Sequence, residues 1–247
     1  VVTLSFNRKL LPELLVLLVL ILATPNVLGT QTDIVSLADS YTSNIYPTAN
    51  YGGSDFLDSY YYTYEILGQS NTQACVTWLK FDLSGISSEA TVNSVILRVH
   101  TNVIAPVATN KIGAFLCSDS NWQEMTIIWN NSPQVTGSPI STVFVSAGDK
   151  DYDFDVTSTV KGKSIVTLVL KTLESTSLAG FASFYSREKQ QTGYRPRLVV
   201  DYTSPSQPSS PVDPALWLVL GVIAIVVVLA AYFMMRRRKQ QTASKTP

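Results

Sequence analysis

The chain has 247 residues, 46% of them hydrophobic, and 18 basic residues balance 18 acidic ones for a formal net charge of zero. The balance is uneven along the chain, because residues 30–214 hold 11 Lys and Arg against 17 Asp and Glu, a net of −6. An acidic body argues against nucleic acid as a partner, and one histidine with no Cys-x-x-Cys spacing leaves no material for a zinc site.

The chain opens VVTLSFNRKLLPELLVLLVLILATPNVLG. Arg8 and Lys9 supply a positive n-region, and residues 10–23 form an apolar run broken only by Pro12 and Glu13. Val27 and Gly29 are small enough for a cleavage site, so residues 1–29 read as a secretory signal cut after Gly29. The alternative is an uncleaved anchor, against which stands the shortness of the apolar run for a span.

From Asp33 onward the pattern is strands and turns, rich in β-branched and aromatic residues that alternate with period two. In residues 76–83 (VTWLKFDL), Leu79, Phe81 and Leu83 share one face, with Trp78, Lys80 and Asp82 on the other. In residues 92–101, Val95, Leu97 and Val99 face in while Arg98 and His100 face out. In residues 111–117, Ile112, Ala114 and Leu116 are in phase, leaving Cys117 outward unless a bulge shifts the register. Further runs are 141–146, 150–154, 165–171, 180–185 and 198–202, with one helical turn at 156–160 that Asp155 is placed to cap. Eight or more short strands without a long amphipathic helix predict an all-β fold, an antiparallel β-sandwich of jelly-roll type spanning residues 30–203.

A Ser/Pro stalk, SPSQPSSPVDP, follows over 204–214 and cannot pack. Residues 215–235 carry no charge, and 21 helical residues reach about 31 Å, the thickness of a bilayer core. Arg236, Arg237, Arg238 and Lys239 come at once behind, marking 236–247 as a basic cytoplasmic tail. The expected topology is therefore one C-terminal transmembrane helix with the sandwich extracellular.

Several residues invite a chemical reading. Cys75 and Cys117 lie in the exported part, where a disulfide could persist, although strand parity puts them on opposite faces. Asn130-Asn131-Ser132 makes Asn130 an N-glycosylation acceptor. Asp149, Asp151, Asp153 and Asp155 recur at period two and would line one strand face roughly 7 Å apart. They fit either a cation site or, preferably, a solvated edge that uses charge against aggregation. No G-x-S-x-G or nucleophile–base spacing is present, so catalysis is not expected.

Five segments resemble, in order, the DNRLRE domain, the disaggregatase-related group classed among carbohydrate-binding modules of archaeal and bacterial cell-surface proteins. ADSYTSNIYPTANYGGSDFL (residues 38–57) resembles its opening, with Ala-Asp and Asn-Tyr-Gly. WLKFDLSGISSEATVNSVILRV (78–99) resembles the central hairpin, and NWQEMTIIWNNSP (121–133) the loop with Trp-x-Glu and Thr-x-x-Trp. FDVTSTV (154–160) resembles the Asp-Val-Thr turn, and FYSREKQQTGYRPRLVVDYT (184–203) the closing Ser-Arg-Glu and Arg-Pro-x-Leu. One departure is Ile127-Ile128-Trp129, where the family reads close to Thr-Trp-Asn.

The resemblance implies a jelly-roll module that binds polysaccharide. A structural calcium between the first and last strands would then fall to Asp39 and Asp201, with Asp149, Asp151 and Asp153 as the alternative set. Aromatic rings that stack on sugar faces are expected from Tyr60, Tyr62 and Tyr64, read as a loop cluster, and from Trp78. Trp122 and Trp129 are expected to fix their loop. Lys80, Arg98 and Lys111 are expected to form an outward basic strip able to hold an acidic sugar, and Arg187 and Glu188 an ion pair. The expected partners are envelope or matrix polysaccharide and the membrane. The alternatives are a structural or adhesive protein binding other envelope proteins, and a polysaccharide hydrolase or lyase.

Overall fold

The computed structural model describes residues 29–104, 110–175 and 181–204, together with Gly221, Phe233 and Arg236. The described strands fall in one compact unit, Val27–Pro205. The expected signal, stalk, membrane span and tail lie outside the described residues, except for Gly29, Ser204, Gly221, Phe233 and Arg236. Among the described residues no helix is long and apolar enough to cross a membrane.

Among the described residues eleven strands follow one another: β1 (Gly29–Val35), β2 (Ala38–Ser43), β3 (Phe56–Ile66), β4 (Gln69–Asp82), β5 (Thr91–Ile104), β6 (Asn110–Cys117), β7 (Ser141–Val145), β8 (Lys150–Asp155), β9 (Ile165–Ser175), β10 (Phe181–Tyr185) and β11 (Arg197–Thr203). One helical turn, α1 (Thr157–Val160), sits between β8 and β9. All observed pairings are antiparallel. β5 carries β8 on one edge and β10 and β11 on the other, with β1 outside β11. β4 carries β2 and, through β9, the pair β6 and β7. The two groups are joined by β3, which pairs with β10 over residues 56–60 and with β4 over residues 60–66. The ladder thus doubles over into an all-β, sandwich-like body.

The alternation read in the sequence is the one that builds the core. Leu79 and Phe81 of β4 meet Val95 and Leu97 of β5, with Leu168 of β9 and Leu198 of β11, all fully buried. Burying a side chain of this size stabilises the fold by about 1.5–3 kcal/mol. Asp155 accepts from the Thr157 amide at 3.0 Å, but the N-cap position of α1 falls one residue later, on Val156, which makes no side-chain cap bond. The tyrosine-rich stretch, expected as a loop, is instead strand β3, consistent with the strong strand preference of Tyr and Thr. It closes on β4 by a two-residue hairpin, Leu67 and Gly68, both with positive φ (51° and 76°), the geometry such tight turns need.

A second apolar cluster lies on the opposite face of β4, β9 and β6, where the loop 118–140 folds over the sheet. Trp78, Phe115, Cys117 and Val169 meet Trp122 and Ile127 from that loop. Trp78 and Cys117, expected outward, are therefore 2% and 3% exposed. Their parity is as read, but the loop turns that outer face into an interior. Each indole finds a buried partner: Trp78 Nε1 donates to Thr42 Oγ1 and Trp122 Nε1 to Thr167 Oγ1, both at 3.0 Å. Trp122 holds its loop down as expected.

The cysteines are free and buried, which corrects the disulfide expectation. Cys117 lies opposite Thr167, and Thr167 opposite Lys80. Cys75 is five residues further along β4, roughly 16 Å at the rise of a strand, whereas a disulfide needs Cα atoms within about 7 Å. Burial pushes the Cys75 thiol up to about 11. A maleimide reagent is therefore expected to label neither cysteine in the folded chain and both after denaturation without reductant. Fewer than two thiols in the unreduced, unfolded chain would contradict this geometry.

Candidate functional site

Leu57 and Ser59 of β3 are buried, and the alternate positions Phe56, Asp58, Tyr60, Tyr62 and Tyr64 lie on its other face. The rings of Tyr60, Tyr62 and Tyr64 follow one another at 6.0 and 5.8 Å, half-buried and tilted. The Tyr62 hydroxyl donates to Gln73 Oε1, and Gln73 Nε2 donates to the Tyr64 hydroxyl at 3.2 Å, so the rings are held in place. Tyr41 and Tyr51 stack at 4.1 Å. Burial raises the hydroxyls of Tyr41 and Tyr60 above their ordinary range, keeping them protonated donors.

The same face of β3 leads to a second aromatic group. Asp58 accepts from Ser183 Oγ at 2.7 Å. Beyond it Phe56 packs on Tyr185 at 5.8 Å, Tyr185 stacks on Tyr194 at 5.3 Å, and Tyr194 stacks on His100 at 4.0 Å. Lys189 Nζ lies 4.2 Å from the Tyr185 ring centroid, a cation–π distance. Lys189 makes no ion pair among the described residues. Sequence reasoning missed Phe56, Tyr185, Tyr194 and Lys189, because β3, β10 and the turn before β11 are distant in the chain.

The expected basic strip does not form. Lys80 is on β4, Lys111 on β6 and Arg98 on β5, and each is engaged. Lys80 Nζ donates to the Trp122 carbonyl beneath the loop and lies 4.5 Å from that ring. Lys111 pairs with Glu174 at 3.1 Å. Arg98 grips Asp153 with two hydrogen bonds of 2.7 and 2.6 Å, which hold its guanidinium firmly charged.

The period-two acids meet side chains of the neighbouring strands. Asp151 meets His100 Nδ1 at 2.7 Å, Asp149 meets His100 Nε2 at 3.1 Å, and Arg197 reaches Asp151 at 3.8 Å. Arg98 of β5 and Arg197 of β11 thus answer Asp153 and Asp151, while Asp149 lies exposed beside His100. His100, expected outward, is 8% exposed because Tyr194 covers it. Asn130 is exposed in a 3₁₀ turn (Trp129–Asn131).

Asp39 and Asp201 are not partners. The last strand pairs with β1 and β5, placing Asp201 opposite Gln31 and Ser94, whereas Asp39 is on β2 opposite Leu79. Asp39 is 1% exposed, and its carboxylate neighbours are Glu124 and Glu188, each offering an oxygen within 4.8 Å of the others. Asp39 Oδ2 accepts from Ser36 Oγ and the Arg187 amide, both at 2.9 Å. The Asp39 amide donates to Glu124 Oε1 at 2.8 Å. Arg187 Nη1 donates to both Glu124 oxygens at 3.2 and 3.0 Å, while Glu188 is only 3.9 Å from its Nε. The expected Arg187–Glu188 pair is thus secondary to Arg187–Glu124. Burial, then the charge of Glu188, pushes the Asp39 carboxyl up to about 7. Asp39 Oδ1 and Glu188 Oε2 are buried and accept no hydrogen bond among the described residues.

The loop opposite locks onto the same place. Asn50 Nδ2 donates to the carbonyls of Glu124 and Ile127, each at 2.8 Å, and a Cβ on Gly52 would stand 2.2 Å from the Glu124 carbonyl oxygen. Ala-Asp, Asn-Tyr-Gly, Trp-x-Glu and Ser-Arg-Glu, scattered over 150 or so positions, therefore meet around one carboxylate.

Fold and aromatic face together describe an all-β module with a ring-lined surface. The model of carbohydrate-binding module family 96 matches residues 30–202, and the chain belongs to that family. A curated protein named gellan lyase, from Bacillus sp, is 28% identical over 184 residues, covering 70% of this chain and 7% of that protein.

Gly52→Ala is expected to destabilise the fold by about 2 kcal/mol or more, since backbone lies where the Cβ must go. A melting point lower by roughly 4–8 °C would register it. Gly53→Ala, with nothing within 4 Å of its Cβ, should change little and serves as the control.

Proposed function

We propose that the chain is an exported, membrane-anchored module of jelly-roll type that holds an acidic polysaccharide of the envelope or extracellular matrix and does not cleave it. The observation that carries the binding surface is the aromatic face of β3, β10 and the turn before β11, Tyr60–Tyr62–Tyr64 and Phe56–Tyr185–Tyr194, with Lys189 beside it. Flat rings fixed by neighbours match the C–H faces of sugars and give up little side-chain entropy on binding. Lys189 is the cation nearest those rings without an ion pair among the described residues, and suits a sugar carboxylate. This reading keeps Tyr60, Tyr62 and Tyr64 from the sequence and replaces Trp78, Lys80 and Arg98.

Membership of a carbohydrate-binding family supports binding, and a relative named as a gellan lyase supports a polysaccharide as the ligand. Because the chain matches only 7% of that relative, we read it as a binding module, not as the lyase. The DNRLRE-like segments support a cell-surface setting. The uncharged run 215–235 with its basic flank supports the anchor, with the module outside. Display of many copies in one membrane plane would raise the avidity for a repeating polymer by about 10²–10⁴.

Retention of the chain in affinity gels containing gellan, polygalacturonate or neutral dextran tests the reading. Retention by the acidic polymers is expected, weakened about two- to tenfold by Tyr62→Ala or Tyr185→Ala. Lys189→Ala should reduce binding to the acidic polymers and its salt sensitivity. No retention by any polymer, or unsaturated products released from gellan, would defeat the proposal.

A further inference from the structure

We propose that Asp39, Glu124 and Glu188 form a calcium site that ties β2, the loop 118–140 and the segment after β10 together. One carboxylate oxygen from each lies within 4.8 Å of the others. Calcium binds oxygen at 2.3–2.6 Å, so ligands around one ion stand no further apart than about 5 Å. The cluster has the size the ion requires.

The second observation is independent of that spacing. Asp39 is 1% exposed, its Oδ2 is filled by Ser36 and Arg187, and its Oδ1 has no donor. Glu188 Oε2 is likewise buried and without a donor. A buried acceptor left without a partner is costly, and two on adjacent carboxylates ask for a shared electrophile. Charge agrees in sign: among the described residues only Arg187 stands within ion-pair distance of these carboxylates, at 3.0 Å from Glu124 and 3.9 Å from Glu188. Glu124 already accepts from Arg187 and the Asp39 amide, and each carboxylate oxygen keeps a lone pair for a metal.

An all-oxygen set with no histidine or thiolate selects a hard cation. Calcium suits an irregular site of this kind better than magnesium, which demands a near-ideal octahedron and keeps its waters. Glu124 lies 85 residues along the chain from Asp39, and Glu188 follows directly on Arg187, itself 148 residues away, so the ion would fasten the covering loop to the sheet. The proposal does not rest on the sugar-binding reading, and polysaccharide retention has no bearing on it.

The test is calorimetric titration of calcium chloride into the full-length chain, stripped with chelator and kept in mild detergent, alongside melting curves. One ion per chain is expected, with a melting point raised by roughly 5–10 °C at a hundredfold excess of free calcium over its Kd. Glu188→Gln, at a partly exposed side chain, should keep the near-ultraviolet dichroism of the fold and bind calcium at least tenfold more weakly. Asp39→Asn should abolish the calcium-dependent rise in melting point. The proposal is overturned if calcium gives neither heat nor stabilisation, as a proton on Asp39 in place of the ion would produce. Unchanged affinity in Glu188→Gln, loss of binding in Asp151→Asn instead, or an equal response to magnesium chloride would also overturn it.

Discussion

Asp39 lies buried at the edge of one layer and receives hydrogen bonds from Ser36 and from the amide of Arg187, while its own amide goes to Glu124. A carboxyl group taken out of water needs such donors, and here Ser36 is local while Arg187 and Glu124 reach Asp39 from two distant stretches of chain. The consequence reaches well beyond the carboxylate. With Glu124 fixed, residues 118–140 must lie across β4, β9 and β6, and Trp122 and Ile127 come down on Trp78, Cys117 and Val169. The second apolar cluster thus depends on a polar contact made elsewhere. Asn50 and Gly52 reinforce it from the opposite side through the carbonyl of Glu124.

The aromatic face has a different origin. β3 serves both layers in turn, and a strand in that position cannot keep one face continuously in the core. Past Ser59 its side chains leave the interior, and tyrosine fills that boundary well, with an apolar ring and a hydroxyl that finds water or a neighbour. Gln73 of β4 orders Tyr62 and Tyr64, and Tyr194 closes over His100 from the turn before β11. The His100 ring in turn separates the aromatic group from the carboxylates of β8.

Strand parity was legible in the sequence, and it set the sandwich-like core correctly: Leu79, Phe81, Val95 and Leu97 alternate because the sheet does. What parity could not show is what covers the other face. Trp78, Cys117 and His100 sit on the side their alternation gives, yet loops without periodicity bury them. The same blindness affected charge. Arg98 and Asp153 look like independent surface residues until β5 and β8 prove to be neighbours. The pairing of Asp39 with Asp201 failed because it took β2 for the first strand, when β1 holds that place against β11. The segments carrying the family resemblance did contain Asp39, Glu124, Arg187 and Glu188, but their meeting point is a fact of three dimensions.

β11 lies between β1 and β5, with Thr203 opposite both Gly29 and Thr91. Its ladder bonds run across the strand, so a pull entering at Thr203 along the strand axis loads both ladders in shear, and their bonds must yield together. A pull separating Gly29 from Thr203 acts on the first pair alone and opens the edge like a zipper. The same seven-residue strand is therefore strong in one direction and weak in another. Tension carried from Thr203 through β11 and β5 to β10 meets the strong direction, and the aromatic face lies at the far end of that path.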